Sequence, residues 1–301
     1  VRDHDQSARE TRRLERADMA VRLVRWLKES VVSGPLSVAE NHGQRTTDNG
    51  QVTNPRSFAD AAHAHLRDGG FVDWARLSLR SGDPVQGLSE TYARLFDAVT
   101  KLREQQAKQF AQLLADWTAA GSQSDDVIPI ERVLEQVVGP LAAENPVLVI
   151  VIDGMSVAVC RELLSDLTRH EWMAICEPGR NFNRPAVATL PSVTEFSRTS
   201  LLCGRLTVGA SAQEKTGFAT NAALLAHSRA DAPPRLFHKG DLADATNLAP
   251  EVRAAIASTQ QRVVGVVYNA VDDHLSGPDQ LHQRWALEDL RLLLPLLREA
   301  R

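Results

Sequence analysis

The feature that most constrains this 301-residue chain is a short apolar run, VLVIVIDGM at residues 147–155, which ends in Asp153 and Gly154. A run this short, rich in Val and Ile and preceded by Pro146, is typical of a fully buried parallel strand. In open α/β sheets the active site lies just beyond the carboxyl ends of such strands. We therefore predict that Asp153 is delivered to a functional site.

Two later segments are predicted to reach the same edge of the sheet, LPSVTEFSRTSLLCG at 190–204 and VVGVVYNAVDDHL at 263–275. Asp272 and Asp273 follow the second apolar run as Asp153 follows the first. Carboxylates gathered at one edge repel each other, and a divalent cation relieves that repulsion. Two such cations can hold the attacking and leaving oxygens of a phosphoryl transfer. The pattern therefore favours a metal-dependent phosphoryl-transfer site.

Several of these residues have two interpretations on local sequence alone. Thr194 precedes a predicted helix at 195–203, where its hydroxyl either caps the helix or, next to a metal, acts as a nucleophile. His274 is either a nitrogen ligand or an exposed loop histidine. Asp272 is favoured over Asp273 because it lies closer to the strand end, although the whole stretch also fits an ordinary acidic turn.

The periodicity of the chain changes near residue 147, from helical spacing to an alternation of strands and helices. We predict a helical domain at 1–120, a linker helix at 121–145 and an α/β domain at 146–301. Long amphipathic helices are expected at 7–30 and 88–117. The predicted elements of the α/β domain are helices at 156–169, 195–203, 220–230 and 250–258, strands at 147–152, 171–177, 235–238 and 263–268, and a helix at 278–299 kinked at Pro295.

Composition excludes some classes of protein. The net charge of −4 gives no general attraction to nucleic acid or to an anionic membrane. The arginine-rich face of the helix at 7–30 fits a solvated surface better than a nucleic-acid contact. No apolar run approaches the roughly 18 residues that span a bilayer, and no signal peptide is expected. A cytoplasmic protein with reduced cysteines is expected.

Six segments resemble the PglZ family, a branch of the alkaline phosphatase superfamily found in the Pgl and BREX phage-defence systems. They are HLRDGGFVDWARLSLRSGD, REQQAKQFAQLLADW, VLVIVIDGMS, LPSVTEFSRTSLLCG, LFHKGDL and VVGVVYNAVDD. The resemblance implies an alkaline-phosphatase-like fold, a mostly parallel sheet flanked by helices and here preceded by an all-α domain.

The resemblance also implies roles for individual residues. Asp153 matches a metal ligand, and the P-[ST]-x-T pattern at 191–194 makes Thr194 a metal-bound nucleophile, with Ser192 in reserve. Asp272 matches an acid that binds a second metal, and Asp273 and His274 are further candidates. Two divalent cations are implied, with Zn²⁺ expected and Mn²⁺ or Mg²⁺ as alternatives.

The family also carries a His four residues after its later Asp, where this chain has Ser276, and an Asp-His pair further along. We expect the remaining ligands to lie beyond Arg301. The chain is therefore expected to be a fragment, incomplete at its C-terminus and catalytically weak without them.

The resemblance implies a metal-dependent phosphoester hydrolase, a phosphatase or phosphodiesterase that acts in anti-phage defence. The alternative is a non-catalytic scaffold or interaction subunit of the defence complex. Either function implies other defence subunits as partners, and nucleic acid or another phosphorylated molecule remains open as the substrate.

Overall fold

The computed structural model describes residues 2–32, 55–180, 183–244, 247–269, 271 and 285–301. These residues form two compact units, Val1–Ser122 and Gln123–Arg301, and each unit has its own hydrophobic core. Within the described ranges, no helix is long and apolar enough to cross a membrane.

The first unit is helical. Its core joins three helices through Leu23, Val72 and Val99, whose side chains are completely buried. Apolar residues at helical spacing supply this core, which is why the periodicity indicated helices in this region. The helices are α1 (Arg2–Val32), α2 (Phe58–Ala64), α3 (Gly70–Leu79) and α4 (Gln86–Ala119), with a π-helical turn at His65–Gly69 between α2 and α3.

The second unit is α/β. Its strands are β1 (Ile128–Pro129), β2 (Val147–Ile152), β3 (Ala186–Val187), β4 (Arg235–Phe237), β5 (Ala243–Asp244), β6 (Asn247–Leu248) and β7 (Val263–Tyr268). Its α-helices are α5 (Gly139–Glu144), α6 (Val157–Arg169), α7 (Thr194–Cys203), α8 (Ser211–Ala219), α9 (Ala222–Leu225), α10 (Lys239–Leu242), α11 (Pro250–Ala257) and α12 (Leu293–Glu299). Shorter 3₁₀ or π turns occur at Ile130–Arg132, Leu134–Val138 and Leu287–Asp289.

The main sheet has the strand order β2-β7-β4, and both pairings are parallel. Two small pairs accompany it, β1 with β3 in parallel and β5 with β6 antiparallel. The central strand β7 is buried at every position, whereas β2 is only half-buried. The prediction that β2 is fully buried is therefore wrong, because among the described residues it pairs with a neighbour on one side only.

Helices cover both faces of this sheet. Along β7, Val264 and Val266 belong to one apolar cluster, with residues of α11 and α12, while Val263 and Val267 belong to another, with residues of α7, α8 and α9. Successive strand residues point to opposite faces, so a strand covered on both sides must be apolar throughout. This three-layer packing accounts for the uninterrupted apolar run at Val263–Tyr268.

Two predicted elements of the second unit are wrong. The strand predicted at 171–177 is absent, because residue 171 lies in a turn and residues 172–177 have no regular secondary structure, and Met173 and Ile175 are exposed there. The predicted helix at 278–299 is, over its described part, a 3₁₀ turn followed by α12. Pro295 lies in the first turn of α12, where its missing N–H costs no hydrogen bond, and so it causes no kink.

Two other predicted helices are shorter than expected. The one predicted at 220–230 is the single short helix Ala222–Leu225. The stretch before β2 is helical from Ile130 to Glu144, where a 3₁₀ turn, a π turn and α5 follow one another directly, so the helix predicted at 121–145 is present but begins later, after β1. Local propensity predicted a longer helix in both places, and tertiary contacts limited the length of each helix.

Candidate active site

The site begins at the carboxyl edge of the main sheet. Ile152 of β2 pairs with Tyr268 of β7, and Asp153 extends this ladder because its N–H donates to the Tyr268 carbonyl at 3.1 Å. The chain then turns at Gly154, where φ is +73°, and the Gly154 N–H donates to Asp153 Oδ1 at 3.1 Å. Asp153 Oδ2 remains available to other groups at this edge.

Thr194 provides one of the groups that contact Asp153. Helix α7 begins at Thr194, its N-cap residue is Val193, and no side chain caps this end. The Thr194 hydroxyl instead donates to Asp153 Oδ2 at 3.3 Å. The capping interpretation of Thr194 is therefore wrong, because the hydroxyl points to the sheet edge rather than to the amides of its own helix.

Arg198 lies one helical turn after Thr194, on the same face of α7. Its Nη1 donates to Asp153 Oδ2 at 2.8 Å, and its Nε donates to Glu214 Oε1 at 3.0 Å. The Arg198 side chain is only 12% exposed and that of Asp153 18%. A single guanidinium thus bridges two carboxylates at the edge of the sheet.

Glu214 of α8 is a completely buried acid. Its Oε1 also accepts from the Thr199 hydroxyl at 3.0 Å, and its Oε2 lies 2.6 Å from His238 Nε2. Burial alone raises the pKa of Glu214, but hydrogen bonds from His238, Arg198 and Thr199 and the charge of Arg198 outweigh it, so the pKa lies below its usual value. The group is therefore a carboxylate at neutral pH.

His238 follows β4 directly, as Asp153 follows β2. For Nε2 to donate to the Glu214 carboxylate it must carry the proton, which leaves Nδ1 of a neutral ring as an acceptor. His238 Nδ1 is buried, and no described residue donates to it. The backbone N–H of His238 donates to Asp241 Oδ2 at 2.8 Å, which fixes the start of α10.

An open pocket of about 450 Å³ lies beside these groups. Its position at the start of α7 places it near first-turn N–H groups, which attract anions together with the helix dipole. The lining also includes Arg198, a strong donor to phosphate oxygens. The lining residues are Val193, Thr194, Glu195, Arg198, Gly209, Ala210 and Ser211.

The separation of Asp153 Oδ2 and Thr194 Oγ1 matches that of two oxygens that share a divalent cation, while Arg198 Nη1 donates to the same Asp153 oxygen at 2.8 Å. Two oxygen ligands of a tetrahedral ion with bonds of about 2.0–2.2 Å lie about 3.3–3.6 Å apart, and the two atoms here are 3.3 Å apart. Two oxygens make an incomplete ligand set. Within the described ranges, no group of three or more His, Cys, Asp or Glu side chains is arranged to hold a metal.

The other predicted ligands, Asp272, Asp273 and His274, lie outside the described residues. The strand that precedes them, β7, ends at the same edge as β2, because Tyr268 is paired with Ile152. Their role as ligands therefore stays a prediction, as does the role of Ser192, which lies exposed two residues before α7.

Sequence reasoning missed Arg198, Glu214 and His238. For His238 a signal was present, because it is a polar residue directly after a strand, the same feature that identified Asp153. The prediction had extended that strand by one residue and so placed His238 inside it. Nothing local marks Glu214 in its helix, since only the fold shows that it is buried against Arg198.

The second unit is an alkaline phosphatase-like domain. The family model described as the BREX system PglZ alkaline phosphatase-like domain matches residues 133–299, more than half of the chain. The chain therefore belongs to the PglZ family, whose members are components of BREX phage-defence systems. A search of curated proteins found no match.

Proposed function

We propose that this chain carries the nucleophile and a metal ligand of a metal-dependent phosphoester hydrolase that works with the other subunits of a BREX system. The observation that supports this most directly is the 3.3 Å contact between Thr194 Oγ1 and Asp153 Oδ2 at the start of α7. It joins a hydroxyl that lines the open pocket to a carboxylate from a distant part of the sequence.

In the proposed reaction, Thr194 Oγ1 loses its proton and attacks the phosphorus, and the bond to the leaving oxygen breaks as that oxygen takes up a proton and departs as the alcohol. Water then hydrolyses the phosphothreonine, which restores the Thr194 hydroxyl and releases the phosphate group. The hydrogen bond to Asp153 orients the hydroxyl, so its lone pairs are free on the pocket side. Two divalent cations, expected to be Zn²⁺ and held by Asp153, Thr194 and the predicted ligand Asp272, would supply positive charge that lowers the pKa of the hydroxyl.

Negative charge on the phosphoryl oxygens grows during such a reaction and must be stabilised. The amides of Thr194 and Glu195 are one source of donors, because they precede the first hydrogen bond of α7, which Phe196 N–H donates to the Val193 carbonyl at 3.1 Å. Arg198 is another, since no described residue accepts a hydrogen bond from its Nη2 and its side chain lines the pocket. These groups select an anionic substrate without distinguishing a monoester from a diester.

The direct test is Thr194→Ala in the full-length protein, assayed with p-nitrophenyl phosphate and bis(p-nitrophenyl) phosphate in the presence of Zn²⁺, Mn²⁺ or Mg²⁺. Loss of the nucleophile should lower kcat by at least about 1,000-fold. Thr216→Ala is a matched control, because Thr216 is exposed on α8 and, among the described residues, its hydroxyl bonds only to the Ala212 carbonyl.

Ser192→Ala tests the reserve nucleophile in the same assay. If Ser192→Ala abolishes turnover and Thr194→Ala does not, the nucleophile is Ser192. Turnover that survives in both variants would refute the proposed chemistry.

A second candidate function is a non-catalytic scaffold, and the ion pair between Asp153 and Arg198 favours it. At 2.8 Å, this pair already offsets the carboxylate charge that would attract a cation. A scaffold predicts full-length protein that binds no divalent metal and a Thr194→Ala strain that keeps wild-type phage protection. Stoichiometric metal and turnover that depends on Thr194 would exclude it.

A further inference from the structure

The unusual feature of this site is a charged unit beneath Asp153, formed by Arg198, Glu214 and His238. Glu214 is completely inaccessible to solvent, and a buried carboxylate is costly unless hydrogen bonds and opposite charge compensate it. Here both of its oxygens are used, by Arg198 Nε and Thr199 on one side and by His238 on the other. Buried, charge-paired acids of this kind are common at functional sites.

The hydrogen bond from Arg198 to Glu214 fixes the direction of the Arg198 guanidinium group. A guanidinium is planar and rigid, so holding its Nε also sets where Nη1 points. Glu214 holds Nε at 3.0 Å, and Nη1 then reaches Asp153 Oδ2 at 2.8 Å. The orientation of the Asp153 carboxylate therefore depends on Glu214, although Glu214 does not contact Asp153.

Arg198 also divides its positive charge between two carboxylates. One positive charge on Arg198 is set against the negative charges of Asp153 and Glu214, so the three groups keep one net negative charge. Without the Glu214 charge, Arg198 would neutralise Asp153 completely and compete with any cation there. His238 adds positive charge only when it is protonated.

We infer that Glu214 is a positioning residue for cation binding at Asp153. It holds Arg198 against one oxygen of the carboxylate and offsets the arginine charge, so Asp153 is oriented and still attracts a divalent cation. His238 secures the second oxygen of Glu214. This inference rests on the proposed function, because it requires Asp153 to be a metal ligand.

The test measures the Kd of Zn²⁺ alone by isothermal titration calorimetry on the full-length protein, counting only the binding that Asp153→Asn removes. Groups that support a metal ligand typically change affinity by about 10–100-fold when replaced. Glu214→Gln, which keeps the shape and loses the charge, should weaken the Kd by that factor. Glu135→Gln is the control, since Glu135 is an exposed acid that, within the described part of the chain, pairs only with Arg132.

A double variant separates this role from a purely structural one. Adding Arg198→Met to Glu214→Gln removes the unbalanced positive charge, so it should tighten the Zn²⁺ Kd of Glu214→Gln by a larger factor than Arg198→Met alone tightens the Kd of the wild-type protein. If the loss came from damaged packing, the factor in Glu214→Gln would be equal or smaller, and the inference would be overturned.

The remaining outcomes are distinguishable. An unchanged Kd in Glu214→Gln, with wild-type protein that binds Zn²⁺, refutes the positioning role and leaves the proposed function standing. Wild-type protein that binds no divalent cation refutes the proposed function and this inference with it.

Discussion

Glu214 links the chemistry of the site to the stability of the fold. Its carboxylate is completely buried, yet hydrogen bonds from His238 and Arg198 overcome the effect of burial and lower its pKa. A group with a lowered pKa in the folded state stabilises that state only while it is ionised.

The first prediction at this scale concerns pH. The stabilisation from Glu214 should be complete above the unfolded-state pKa of about 4.3 and should be lost as the pH falls through the lower pKa of the folded state. The stability of the wild-type protein should therefore fall more steeply between about pH 5 and about pH 3 than that of Glu214→Gln. Urea unfolding at a series of pH values measures both slopes.

The exposed substitution Glu135→Gln serves as the control for this prediction, because it also removes one carboxylate and should leave the acid slope unchanged. Parallel curves for the wild-type protein and Glu214→Gln would contradict the prediction.

A site residue could be predicted from the sequence when it lay at the end of a strand or the start of a helix. Asp153 was recognised because it ends an apolar run, and Thr194 because it precedes a helix. Arg198 and Glu214 became visible only when α7 and α8 packed together, since the bond between them joins residues whose local sequence is unremarkable.

Among the elements, the central strand β7 depends on a glycine where helix α8 approaches it. A Cβ at Gly265 would lie 2.6 Å from Leu236 Cδ1 and 2.9 Å from Phe218 Cζ. Both distances are too short for carbon atoms. The absence of a side chain at Gly265 therefore lets Phe218, which is completely buried, pack against the sheet.

Gly265→Ala should destabilise the protein by about 1–3 kcal/mol, because an added methyl group must displace a packed ring. The free energy of unfolding in urea measures the effect. The matched control is Gly240→Ala, since Gly240 is exposed in α10 and a Cβ there meets no atom within 4 Å. A destabilisation in Gly240→Ala as large as that in Gly265→Ala would show that the contact with Phe218 is not the cause.

Apolar runs predicted some strands well and one wrongly. The runs at Val147–Ile152 and Val263–Tyr268 form adjacent parallel strands. Residues 171–177 have a similar local composition but form no strand, and Ile175 is 65% exposed. A short apolar segment becomes a strand only when another strand is available to pair with it, which local sequence does not reveal.

Over the whole molecule, the two units have separate cores. Leu23 is completely buried in the core of the first unit, whereas all the site residues that the structure describes belong to the second. Damage to the first core should therefore change stability without changing the chemistry of the site.

Leu23→Ala should destabilise the first unit by about 2–5 kcal/mol, the usual cost of truncating a buried leucine. It should leave the Zn²⁺ Kd within twofold of the wild-type value, as measured by calorimetry at a temperature where the variant is folded. Leu14→Ala provides the control on the same helix, because Leu14 is 73% exposed. A large loss of Zn²⁺ affinity in Leu23→Ala would show that the site depends on the first unit.

The amino-acid sequence was sufficient to indicate a helical region followed by an α/β domain, the family, and the strand that delivers Asp153. These features are local, because they depend on the periodicity of apolar residues and on short motifs. Folding added the contacts between Thr194, Arg198 and Asp153, and the burial of Glu214 beside His238. Such contacts join residues far apart in the chain, and they exist only because packed helices bring those residues to one edge of a sheet.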